Sequence, residues 1–200
     1  MRITYSETGL KEDVRKLVEA VKAKWLQRGA TTSSFESLLL MVDLYGPNCL
    51  TRNQNCLGDS SDADYQISAT VGIDRGEVLA VIGTLGTVTG NATYTSLALN
   101  QIPELKGVAN ISHKELAGSA SQFSDKVPEA DKLYVQYFAR DCRGLKNCFQ
   151  VTPAMIPIGK KIKILQRNYV AQGSARGPSP ELVVNPTLVV LDGTKRSKAK

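Results

Sequence analysis

The hydrophobic period of this chain changes once, and the change divides it. Leu10, Val14, Leu17, Val18, Val21 and Trp25 recur at steps of three and four, while Lys11, Glu12, Arg15, Lys16, Glu19, Lys22 and Lys24 fill the positions between. That is the period of a helix with one buried face. From residue 65 the period is two: Tyr65, Ile67, Ala69 and Val71 alternate with Gln66, Ser68 and Thr70, as side chains do on the two faces of a strand. Many short strands after a helical start, with turn signals rather than helices between them, do not supply the crossovers of a parallel sheet. The expected fold is α+β and mainly β, an antiparallel β-sandwich of seven or eight strands carrying an N-terminal αα hairpin.

The first helix should stop at Arg28-Gly29, where glycine accepts a positive φ. Ser33-Ser34-Phe35-Glu36 then fits a capping box, and Phe35, Leu38, Leu39, Val42 and Tyr45 continue a helical pattern until Gly46-Pro47 ends it. Beyond residue 64, strands are expected at 65–71, 77–82, 93–99, 132–140, 148–151, 160–169 and 182–191, the last interrupted by Pro186. Asp74-Arg75-Gly76 and Thr89-Gly90-Asn91 supply turns, and Gly83, Gly86 and Gly90 suggest a bulge or bend. Residues 101–131 read as a crossover in which the capping box Ser112-His113-Lys114-Glu115 opens a single helical turn. Lys132 to Arg140 carries aromatics on both faces, as an interior strand would. Two hundred residues suit one domain, 1–193, made of the helical hairpin 1–46 and the sandwich 64–193, with a basic tail at 194–200.

Hydrophobic residues at 42% and charged residues at 22% exclude a disordered chain, a collagen and a coiled coil. No apolar run approaches the roughly 18 residues that span a bilayer as a helix, so membrane insertion is not expected. Net charge is +6, and Lys195, Arg196, Lys198 and Lys200, with no acid among the last seven residues, account for four of it. A solvated basic terminus gives no specific partner, and with few aromatic residues to stack bases nucleic acid is a poor candidate.

The four cysteines form two local pairs, Cys49 with Cys56 and Cys142 with Cys148. Two disulfides would fit a secreted protein and four thiols a cytoplasmic one. The spacing disfavours a zinc knuckle. The sequons at Asn91 and Asn110 are too short a pattern to decide between compartments.

The single histidine, His113, has no nucleophile motif around it, and Gly83 to Gly90 lacks the lysine and spacing of a phosphate loop. The segment 46–64, rich in Asn, Asp, Ser and Gly, is longer than most loops of compact domains, and loops of that length are often functional. Within it Arg52, Asn53, Asn55 and Asp59 suit a polar partner, with Arg140 and Arg143 joining them, and Lys146, Arg167 and Arg176 adding further basic groups, if the loops at 46–64, 140–148 and 172–180 gather at one end. Asp59, Asp62 and Asp64 offer hard oxygen ligands for calcium, the candidate cofactor, but lack EF-hand order. The leading expectation is a non-catalytic binding or interaction module with a polar, loop-borne site for a polar or anionic ligand or a protein partner. The alternative is an enzyme, such as a hydrolase or lyase, using loop carboxylates or a thiol, with calcium assisting.

Overall fold

A computed structural model describes residues 5–37 and 62–195. The first amphipathic segment is helix α1, Lys11–Lys24, with Val14, Leu17, Val18, Ala20 and Val21 buried. Glu12 and Asp13 sit in its first turn and Lys22 and Lys24 in its last, each matched to the helix dipole. The stop expected at Gly29 comes earlier. Leu26 takes a φ of 57°, and the N–H groups of Leu26 and Gln27 donate to the carbonyls of Ala23 and Lys22 at 3.0 and 2.9 Å. A leucine thus makes the left-handed cap that glycine usually provides.

The helical start expected at Ser33 is not formed. Thr31–Ser34 is strand β1 and Glu36–Ser37 strand β2. Between them Phe35, 1% exposed, enters the apolar interior, and its N–H donates to the Pro186 carbonyl at 2.8 Å. Burial of one phenyl ring outweighs a local capping motif. The remainder of the expected second helix, 38–45, lies outside the described residues.

The other strands are β3 (Ala63–Ile67), β4 (Glu77–Thr84), β5 (Tyr94–Gln101), β6 (Lys106–Ser112), β7 (Leu133–Ala139), β8 (Cys148–Gln150), β9 (Ile162–Tyr169) and β10 (Thr187–Asp192). They make two five-stranded sheets, the first in the order β1-β10-β4-β7-β8 and the second β2-β3-β9-β5-β6. Ten strands replace the expected seven or eight. The extra ones are β1, β2 and β6, all at or beside chain segments whose alternation is weak. The sheets are not wholly antiparallel, because β8 runs parallel to β7. The chain between them, in place of a plain reversal, is looped back by a Cys142–Cys148 disulfide, Cα–Cα 5.9 Å.

Among the described residues two single-turn α-helices follow α1. Gly86–Thr89 forms α2, a single turn closed by Gly90 at φ 85°, where the glycine spacing suggested a bulge; the irregularity in register falls instead at Leu99/Asn100. His113–Leu116 forms α3 with the expected capping box complete.

The first sheet is covered on both faces. Val78, Ala80, Ile82, Leu133, Val135, Tyr137 and Ala139 pack with α1 and Trp25 in one cluster, whose aromatic contact is Trp25 against Tyr137 at 6.0 Å. Leu79, Val81, Tyr134, Phe138 and Leu188, on the opposite face, share a second cluster with Leu97, Leu99, Ile162 and Ile164 of the second sheet. This is why β4 and β7 read as nearly unbroken apolar runs.

Candidate ligand-binding face

The second sheet behaves differently. Along β9, Ile162, Ile164, Gln166 and Asn168 are buried, while Lys163, Leu165, Arg167 and Tyr169 are half-exposed. Only one of its faces is covered by the shared core, and that inward face changes from apolar to polar toward the Tyr169 end. There the Tyr134 hydroxyl donates to Gln166 Oε1 at 2.5 Å, Gln166 Nε2 to Gln66 Oε1 at 2.9 Å, and Gln66 Nε2 to Asn185 Oδ1 at 2.9 Å. Beside this chain Thr95 donates to Asn168 Oδ1 at 3.0 Å and Ser37 to Asp64 Oδ1 at 3.2 Å. Burial pushes the Tyr134 phenol well above its ordinary value, with the Glu7 carboxylate adding to the effect, so the hydroxyl stays a donor.

Glu7 closes the same end. Its carboxylate, 2% exposed, accepts from Thr84 Oγ1, Thr89 Oγ1, Asn91 Nδ2 and the Val184 N–H at 2.8, 2.6, 2.9 and 3.0 Å. Four donors from three chain segments satisfy it without a cation. Asn91, the first sequon position, is buried and consumed in this network.

The polar interior inverts β3. Alternation counted Tyr65 and Ile67 as its apolar face, yet Asp64 and Gln66 are fully enclosed, Ile67 is buried as well, and Tyr65 is the residue of the strand left half-exposed. Tyr65 is consequently turned outward, where it pairs with Arg167 across the ladder, and Arg167 pairs in turn with Ser96. The guanidinium carbon lies 5.4 Å from the Tyr65 ring centroid and 4.8 Å from that of Tyr169. In the next row Tyr169 stands opposite Tyr94, whose ring meets His113 edge-on at 5.4 Å and 87° and whose hydroxyl accepts from Asn110 Nδ2 at 3.0 Å. Arg167 Nε and His113 Nδ1 are buried without a hydrogen-bond partner.

The residues singled out from sequence fall in two places. Val170 N–H donates to the Asp62 carbonyl at 2.7 Å, Ala171 N–H to the Arg176 carbonyl at 2.8 Å, and a Cβ on Gly177 would overlap the Ala63 backbone. The entry to β3 and the 171–180 segment therefore meet at the Tyr169 end of the second sheet. The loop 140–148 does not join them. Arg140 donates to the carbonyls of Ile73, Val151, Thr152, Ile156 and Pro157 at 2.6 to 3.3 Å, and Val71 of the same neighbourhood bridges Ile162. That is the opposite end of β9, about 23 Å away at 3.3 Å per residue. Arg143 pairs with Asp141 at 3.2 Å on the surface. The loop 140–148 and the 171–180 segment therefore stand at opposite ends of the second sheet.

Arg52, Asn53, Asn55, Asp59 and the pair Cys49 and Cys56 lie outside the described residues. Asp62 is half-buried and Asp64 fully buried, and among the described residues no group of three His, Cys, Asp or Glu side chains is placed to hold a metal ion. Among them, too, no helix is long and apolar enough to cross a membrane. Sequence reasoning counted Arg167 among the basic residues near loops but singled out neither Tyr65 nor Tyr169 as its companions. The signal was the polar pair Gln166 and Asn168 within an apolar strand, which marks where inside and outside exchange character.

No family model matches the chain, and no curated protein matches it.

Proposed function

We propose that this protein is a non-catalytic binding module, a β-sandwich that presents a polar site at the Tyr169 end of its second sheet, where the chain leaving 46–64 enters β3. The observation that carries the reading is the outward row Tyr65, Arg167 and Tyr169 beside the meeting point of two irregular segments. Aromatic side chains with a fixed cation on a rigid sheet, flanked by loops, suit recognition of a polar or anionic ligand. Arg52, Asn53, Asn55 and Asp59, upstream of β3 in the same segment, are the loop groups proposed to complete it. Arg140 and Arg143 are not part of this reading, since their loop stands at the far end.

The test is a thermal-shift titration with neutral sugars, sugar acids and sugar phosphates. A ligand that binds only the folded state raises stability by about 2.7 kcal/mol at a hundred times its Kd. Saturable stabilisation that is lost in Arg52→Ala or Asp59→Ala, with melting of the free protein retained, is expected. Lost melting without a specific loss of binding would show that these residues only brace the loop.

A further inference from the structure

Arg167 is positioned in an unusual way for a surface arginine. Both flanking contacts are aromatic faces, Tyr65 on one strand and Tyr169 two residues along its own, and among the described residues no carboxylate or carbonyl is paired with it. Arg15 holds Glu12, Arg140 five carbonyls and Arg143 Asp141, whereas Arg167 is held by the two rings. The Arg167 Nε–H is enclosed without a partner, so the terminal nitrogens are the donors left for a visitor. Its near neighbours on that face of β9 and β5 are Lys163, Leu165, Tyr169, Tyr94, Ser96 and Ala98. None is acidic. Glu36 shares the face from the edge strand β2, opposite Ile67, and makes no ion pair with Arg167.

A guanidinium held against two aromatic rings has less rotamer freedom left to lose, and its terminal N–H groups match the two oxygens of an oxyanion. We infer that Arg167, clamped by Tyr65 and Tyr169, is the anchor for an oxyanion, a carboxylate or a phosphate, carried by a small ligand of this module; the inference rests on the binding reading above and names its ligand chemistry. The tyrosines act as positioning residues that hold the fork edge-outward. Their hydroxylated rings also border the path by which the body of the ligand would leave the anion toward Tyr94 and His113.

The experiment titrates glucuronate, glucose 6-phosphate and glucose into the whole chain and its Arg167→Lys and Arg167→Gln variants, with binding read by calorimetry and folding by melting. The expected result is saturable binding of at least one anionic probe, tighter than glucose, and weakened about tenfold or more in both variants, since an ammonium keeps the charge but not the planar fork. The carboxylate and phosphate arms identify which oxyanion is held. Glucose binding as tightly as the anions, or anion binding unchanged in Arg167→Lys, overturns the anchor while leaving a binding module in place. Absence of binding by both anions overturns the anchor as well. Arg167→Lys keeps the aliphatic stem and the charge, so it reports even where the glutamine variant fails to fold.

Discussion

The two sheets of this protein share one core but live in different solvents. The first is apolar on both faces, packed by α1 on one side and by the second sheet on the other. The second packs one face on that shared core, and even there its Tyr169 end is wired by amides and hydroxyls in place of hydrocarbon. Its other face carries half-exposed Tyr65, Arg167 and Tyr169 beside buried Ala63, Ile67 and Ser96. A sheet covered twice can serve as the rigid support. A sheet with one face outside that core has side chains to spend on recognition, here Tyr65, Arg167 and Tyr169.

The difference can be broken most severely from the supporting side. Leu17→Asp or Val21→Asp places an unpaired carboxylate at positions with no solvent exposure, a change that costs several kcal/mol, on the order of the stability of a whole domain. Both variants should be unfolded or melt far below the wild type in a thermal scan; near-wild-type melting would mean that α1 does not complete the core.

Glu7→Ala should come next. It strands Thr84, Thr89, Asn91 and the Val184 N–H, and a loss of roughly 2–4 kcal/mol is expected in denaturant titration, because each buried donor left unpaired costs about 1–3 kcal/mol with partial relaxation. A loss below 1 kcal/mol, as small as a single hydrogen bond, would show that water replaces the carboxylate without strain.

Tyr134→Phe should have a smaller effect at neutral pH, about 1 kcal/mol for one buried hydrogen bond to Gln166, and a distinctive one at high pH. The folded phenol holds its proton above the ordinary value near 10, so between that value and the folded one the unfolded chain binds fewer protons than the native one. Stability contributed by Tyr134 is thus fully present below about pH 10 and lost as pH rises through the folded value. Melting followed from pH 8 to 11 should show a steeper alkaline decline in the wild type than in the phenylalanine variant, and parallel curves would remove the buried phenol from the explanation.

How much of this was legible depended on what each residue's role is. Helix α1 and the interior strands β4 and β7 could be read because Leu17, Val21 and the run Val78 to Ile82 are where they are for packing alone, and packing leaves a period. The helical start at Ser33 was misread at Phe35, where one ring buried in the apolar interior left the same local pattern as a capped helix. Strand β6 was passed over because an edge strand, with Asn110 and Ser112 exposed or half-exposed, has too little burial to enforce alternation. The candidate face was hidden for the opposite reason. Gln66, Gln166 and Asn168 are polar and inside, so hydropathy assigned Tyr65 the wrong side, and only tertiary pairing with Tyr134 and Asn185 shows which way β3 faces. Cys142 and Cys148 were visible as a local pair, though not as a disulfide within the connection after which β8 runs parallel to β7.

The central claim is that the outward face of the second sheet is held by the fold without holding the fold. It is tested most directly by the unfolding free energy of Arg167→Gln measured beside that of Leu17→Asp. Removal of a partly exposed guanidinium from two ring contacts should cost about 1 kcal/mol, the value of cation–π contacts outside a dry interior, with the native spectrum kept, while Leu17→Asp loses it. If Arg167→Gln instead destabilises the protein as much as the helix variant does, Arg167 is a brace of the sheet, and the face is part of the support.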